Sequence, residues 1–174
     1  MTGRAENLTK IYLLSSILMF VSSYFFYYVV NVKYKGIKSN KDNKEPLFPL
    51  DKKIVTSKFG FRIHPKYKIP KFHNGADYAG KTGDKIYASD DGIVIDKFYN
   101  NAGGNQLIIQ YPNLKNLKFG YAHLNKIYVE KGEKVKRGQV IAEVGNTGVS
   151  TGSHLHLTIK DSNGVYIDPE SIFA

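Results

Sequence analysis

The chain predicts an all-β domain behind one N-terminal transmembrane helix, and three observations carry that expectation. Across residues 47–174, short apolar runs rich in Val, Ile and Tyr alternate with clusters of Gly, Asn and Asp, the pattern of short strands joined by turns. No stretch there keeps a helical apolar period over the ten or more residues that an amphipathic helix needs. Ahead of it, residues 11–30, "IYLLSSILMFVSSYFFYYVV", carry no charge, and about 20 such residues in a helix cross a hydrocarbon layer of roughly 30 Å.

Residues 1–10, with Arg4 and Lys10, read as a short cytoplasmic N-terminus. Residues 11–32 read as a membrane anchor whose tyrosines near the outer end form an interfacial belt. The competing reading is a cleaved signal peptide, because Ser22 and Ser23 follow a short apolar core. Cleavage there leaves a mature start of "YFFYYVV", itself membrane-seeking, which favours the anchor. A lipid-anchored form is excluded, since the chain has no cysteine to carry the lipid. Lys33, Lys35, Lys38, Lys41 and Lys44 follow the segment, and positive charge beside a span favours the cytoplasm. Large domains translocate despite such charge, however, so the side is decided by the chemistry.

Residues 33–46, "KYKGIKSNKDNKEP", are rich in lysine and asparagine and have almost nothing to bury, which reads as a flexible stalk. The folded domain is then 47–174. Its strand candidates are "KIYAS", "GIVIDKFY", "NQLIIQY", "LKFGYAHL", "KIYVE", "QVIAEVG", "HLHLTIK" and "VYIDP", enough for a sandwich or partly open barrel. Within them "GDKIYASDDGIVI" and "GEKVKRGQVIAEVG" echo one another, each running a glycine-started turn into an apolar strand.

Composition narrows the chemistry. Without cysteine there is no disulfide, no thiol nucleophile and no thiolate metal site, so any metal rests on His, Asp or Glu. The formal charge is +10. Residues 46–174 hold 18 Lys and Arg against 12 Asp and Glu, a balance of +6, which suits polyanionic partners such as acidic wall polymers or anionic lipid. No nucleic-acid-binding motif accompanies the scattered lysines, so a nucleic-acid partner is not expected.

Chemistry concentrates on four of the five histidines. In "FHNGADYAG", His73 and Asp77 stand four apart around Gly75, in a loop or bent strand, and offer one nitrogen and one oxygen ligand. In "TGSHLHLTIK", strand alternation puts His154 and His156 on one face, with Leu155 and Leu157 on the other. His73, Asp77 and one of His154 or His156 make three protein ligands with a fourth position open, the arrangement of a catalytic rather than a structural zinc. The remaining strand histidine, and His123 in "GYAHLNKI", are candidates to move a proton beside that position. In "GNTGVSTGS", Asn146 and Gly148 are suited to positive φ in a tight loop beside the site.

Taken in order, "SKFGFRIHP", "HNGADYAG", "DGIVI", "YAHL", "VKRGQVIAEVGNTGVSTGSHLHL" and "YIDP" resemble the lysostaphin-type, or LytM-like, zinc metallopeptidases over residues 57–169. The resemblance implies a duplicated hybrid β fold of barrel-sandwich type with a groove. It implies one zinc ion held by His73, Asp77 and His156, with His123 and His154 as the catalytic pair. It further implies cleavage of peptide cross-links in peptidoglycan, and hence a single-pass membrane protein whose catalytic domain lies outside the cytoplasm. Arg62 is divided between groove lining and a structural ion pair, and His64 is read as structural. The family often carries an aromatic and then an acidic residue after H-x-H, where Leu157 and Thr158 stand here. A support for the ligands is therefore weaker or supplied elsewhere. Three other readings compete: a non-catalytic relative that activates other wall hydrolases, a biotinyl- or lipoyl-type carrier, and a tethered structural domain. The carrier lacks a lysine at the expected hairpin tip, where "NTGVSTG" stands, and the structural domain leaves the histidines unexplained.

Overall fold

The computed structural model describes residues 34–63 and 68–173. The expected cytoplasmic segment 1–10, the expected anchor 11–32 and His64 lie outside the described residues. Among the described residues no helix is long and apolar enough to cross a membrane. What is described is all-β, as the strand pattern predicts.

Among the described residues thirteen strands follow one another: β1 (Val55–Ser57), β2 (Gly60–Ile63), β3 (Pro70–His73), β4 (Ala76–Ala79), β5 (Lys85–Tyr87), β6 (Gly92–Asn100), β7 (Gly104–Tyr111), β8 (Leu117–Leu124), β9 (Lys126–Ile127), β10 (Lys134–Val135), β11 (Val140–Glu143), β12 (His154–Lys160) and β13 (Tyr166–Ile167). A single helical turn, α1 (Pro169–Ile172), closes the described chain, with Asp168 capping it by accepting from the Glu170 N–H at 3.0 Å. The main sheet runs β1-β4-β12-β8-β7-β6-β10, with β13 against the far end of β12. A three-stranded sheet, β5-β11-β9, and a hairpin, β2-β3, complete the fold.

Period-two alternation sets what each sheet face carries. On β12, Leu155, Leu157 and Ile159 are fully buried, while His154, His156, Thr158 and Lys160 face the other way, each partly exposed. On β8, Leu117, Phe119 and Tyr121 join the buried side. Each of these side chains contributes about 1.5–3 kcal/mol by leaving water. The two buried tyrosine hydroxyls of Tyr111 and Tyr121 bond each other at 2.8 Å, and the Ser89 N–H donates to Tyr111. Burial pushes the Tyr111 phenol up to about 12, so the pair stays neutral inside the core.

The two echoing segments pair reciprocally. β5 and β6 come from the first, β10 and β11 from the second; β5 pairs with β11 and β6 with β10. The crossing point is tied by the Ala88 N–H to the Gln139 carbonyl and by the Gly138 N–H to the Ala88 carbonyl, both 2.9 Å.

The linker differs from its compositional reading. The compact unit begins at Gly36 rather than at residue 47. Ile37 is 5% exposed, the Asn40 N–H donates to the Asn113 carbonyl, and the Leu47 N–H donates to that of Ser89. Two buried apolar side chains, Ile37 and Pro46, and a set of backbone bonds hold a segment whose lysines remain in water, among them Lys41, paired with Asp91 at 2.6 Å.

Candidate metal and catalytic site

The site sits where β3, β4, β8 and β12 meet. His73 ends β3, opposite Gly60 of β2. A two-residue turn then enters β4, where Asp77 stands directly across from His156 of β12. Ala122 of β8 faces His156 from the other side, which brings His123, the next residue, to the same end of the sheet. Gly75 makes the turn possible. A Cβ there would lie 2.4 Å from the Leu157 carbonyl oxygen and 2.9 Å from His156 Cε1, so any larger residue displaces β12 at the site itself.

Three donor atoms converge. His156 Nδ1 is 2.7 Å from Asp77 Oδ1 and 3.1 Å from His73 Nε2, and His73 Nε2 is 3.2 Å from Asp77 Oδ1. Donors bound at about 2.0–2.2 Å to one tetrahedral ion are spaced about 3.3–3.5 Å apart, so the trio needs little movement to close on a metal. It is the set among the described residues that could hold one. His154 Nε2 stands farther off, 3.7 Å from Asp77 Oδ1, which separates the two histidines that alternation alone leaves equivalent.

Backbone carbonyls fix the tautomers. Because a carbonyl only accepts, the ring nitrogen facing it carries the hydrogen. His73 Nδ1 donates to the Lys58 carbonyl at 2.8 Å, His123 Nδ1 to that of Thr147 at 2.8 Å, and His154 Nδ1 to that of Gly152 at 2.7 Å. Each therefore offers a bare Nε2. The rings of His123 and His154 are 4.7 Å apart, and that of His123 is 6.0 Å from His156. Two free imidazole lone pairs thus stand beside the three-donor cluster.

The electrostatics agree with this arrangement. Burial pushes the Asp77 carboxyl up, but the adjoining His156 and His73 rings, which bond and attract the carboxylate when they are protonated, outweigh it and hold the group well below the usual carboxylate range. Asp77 is thus a carboxylate whenever the protein is folded near neutrality. Burial lowers His156, against the opposing pull of Asp77, and burial also lowers His123, against its bond to Thr147. Both are neutral imidazoles at pH 7, the form that ligates a metal or accepts a proton.

The other residues marked in the sequence divide in the structure. The Arg62 guanidinium, on β2, lies 3.7 Å from Asp77 Oδ2, so Oδ1 is left to the histidines; Arg62 both lines the groove and makes the ion pair. Thr158 bonds the Gly120 carbonyl at 3.4 Å rather than a histidine. The left-handed residue beside the site is His123, at φ 60°, and not Asn146. The expectation for Gly148, at φ 74°, holds. A Cβ on Gly148 would lie 2.3 Å from the Gly104 nitrogen, so two loops meet there without room for a side chain.

Three metal donors, an open side and two bare imidazoles on a groove floor are the arrangement of a metal-dependent hydrolase. Residues 71–169 match the family described as Peptidase family M23, and the chain belongs to it. The peptidoglycan DD-endopeptidase ShyC of Vibrio cholerae is 39% identical over 125 residues, covering 71% of this chain and 28% of that protein. A zinc-containing peptidase from Vibrio cholerae superposes with a TM-score of 0.63 at 35% identity, over 80% of this chain and 40% of the other. The catalytic domain of lysostaphin from Staphylococcus simulans gives 0.59 at 28% identity, over 68% and 90%. The lysostaphin-type resemblance is therefore borne out. The chain spans under a third of the length of the curated relatives it matches.

Proposed function

We propose that the protein is a membrane-anchored zinc endopeptidase that cleaves peptide cross-links of peptidoglycan. The observation that carries this reading is the convergence of five groups: the donor atoms of His73, Asp77 and His156, close enough together to hold one zinc ion, and the bare Nε2 atoms of His123 and His154 beside them. A zinc ion bound there supplies Lewis-acid polarisation of the scissile carbonyl and an acidified water. His123 and His154 do the proton work. One Nε2 accepts the proton of the attacking water and, once protonated, delivers it to the leaving amine; the other can donate to the oxyanion only in its protonated, imidazolium form, because its neutral form is bare at Nε2. Arg62, on the far oxygen of Asp77, holds that carboxylate in place.

The names of the relatives support direct D,D cross-links as the bond cut. Peptidoglycan lies outside the cytoplasmic membrane, which supports residues 1–10 in the cytoplasm, 11–32 as a single-pass anchor and the catalytic domain on the outer side. Protease accessibility of the domain in intact spheroplasts tests the orientation, and full protection contradicts it.

Dye release from labelled sacculi tests the activity. The zinc-loaded protein is expected to release dye alone, and His154→Ala to lose at least a hundredfold in rate, the scale of one general acid–base group. Release seen only when a second wall hydrolase is added would overturn the enzyme in favour of an activator.

A further inference from the structure

Beyond the metal cluster, the groove continues along the same sheet face, and it ends in an unusual pair. Lys160 of β12 stands directly opposite Lys118 of β8. Alternation places both on the face that carries His154, His156 and Thr158, and both line the groove. Like charges directly opposite on a ladder, with Cβ atoms about 5 Å apart, are destabilising. Some lysines elsewhere are neutralised, Lys53 by Glu170, Lys97 by Glu130 and Lys131 by Asp96. Among the described residues no carboxylate pairs with Lys118 or Lys160. The Lys160 ammonium is instead held 4.4 Å above the ring of Tyr166, which fixes its position without cancelling its charge.

Between this pair and the metal cluster lies an open floor. Thr158 faces Gly120, which faces Ile108 of β7, and a Cβ on Gly120 would lie 2.5 Å from Thr158 Oγ1. Of this pair only Thr158 raises a side chain from the floor, over the position that a Gly120 side chain would take. Lys160 is four residues from His156, about 13 Å at about 3.3 Å per residue. The groove as a whole is cationic, lined by seven Lys and Arg against four Asp.

We propose that Lys118 and Lys160 form a carboxylate-binding subsite that grips an acidic peptide substrate two to four residues from its scissile bond. The unneutralised pair is then complementary to a bound anion rather than a defect of the sheet. The inference rests on the endopeptidase reading for what the substrate is, and on the ladder register for where its carboxylate sits.

The test uses a purified cross-linked muropeptide dimer and the same dimer with its free carboxylates converted to primary amides. For the zinc-loaded protein, Lys118→Glu and Lys160→Glu are each expected to raise KM for the acidic dimer about tenfold, leave KM for the amidated dimer as it was, and change kcat little. Lys→Arg at either position should restore the wild-type KM. Lys118→Glu replaces a like-charge pair by an opposite-charge pair and should melt no lower than wild type; Lys118→Gln is the second variant, with the same KM effect in smaller measure. An unchanged KM, or an equal rise on both dimers, overturns the subsite. Calorimetric titration of the metal-free protein with each dimer separates the two claims. Tighter binding of the acidic dimer without cleavage by the loaded protein would leave the subsite standing and the endopeptidase reading overturned. Cleavage of both dimers with one KM would do the reverse.

Discussion

His123 concentrates the conflict between stability and function in one residue. Its backbone is left-handed at φ 60°, a conformation that costs an L side chain about 1–2 kcal/mol and costs glycine almost nothing. Such strain persists where a side chain must be aimed; here it turns the ring so that Nδ1 meets Thr147 and Nε2 meets the groove. His123→Gly is therefore expected to be about 1 kcal/mol more stable than His123→Ala in denaturant unfolding, with both lacking activity. Equal stabilities would remove the strain argument. The pH profile is set by the same ring. Burial holds His123 below the ordinary imidazole value of about 6.5. It stays neutral, and able to accept a proton, until the pH falls below that lowered value. With zinc kept saturating, the acidic limb of kcat/KM should therefore have its midpoint below 6.5. A midpoint at or above 6.5 would exclude His123 as the group that must be neutral.

At the scale of elements, the register of β4 against β12 builds the metal cluster, and Gly75 permits that register. Gly75→Ala places a methyl carbon 2.4 Å from the Leu157 carbonyl oxygen, which β12 must yield to. Metal affinity should fall at least tenfold, the scale seen when ligand orientation is disturbed, and stability by about 1–3 kcal/mol. Gly152→Ala meets nothing within 4 Å and should leave stability unchanged; a Gly75→Ala protein with wild-type metal affinity would refute the register argument. This scale also shows what was legible beforehand. Alternation along "HLHLTIK" placed both histidines on one face because a strand's period is local. It could not say which strand lies opposite; the family resemblance, not alternation, named His156 over His154, and in the structure His156 is the one paired with Asp77. The carbonyls of Lys58, Thr147 and Gly152 that set the tautomers leave no trace in sequence, because every residue has one. Asn146 looked apt for positive φ by residue type, whereas the strained position is held by a histidine for its side chain.

For the molecule as a whole, the all-β class was readable from strand spacing, but the reciprocal exchange of β5, β6, β10 and β11 was visible only as a faint echo in sequence. The linker was misjudged for a related reason: composition counts side chains, while residues 36–46 are held largely by backbone bonds and by Ile37 and Pro46. A metal bound as proposed is expected to contribute to the stability of the whole domain, since the three proposed ligands come from β3, β4 and β12. With free zinc at 1,000 times its dissociation constant, binding adds about 4 kcal/mol, so a chelator should lower the melting temperature by several degrees. The same treatment of Asp77→Ala should change it little. An identical shift in both proteins would place the stabilising ion elsewhere.

The central claim is that these five residues hydrolyse a cross-link with one bound metal, and mass spectrometry of purified muropeptide dimers tests it most directly. After incubation with zinc-loaded protein, the dimer should be converted to two monomers, each identified by the mass of one added water shared between them, with a new carboxyl at the D-Ala of the former D,D bond. Chelator or His154→Ala should leave the dimer whole. Intact dimer in the presence of protein shown to carry one equivalent of zinc would contradict the account.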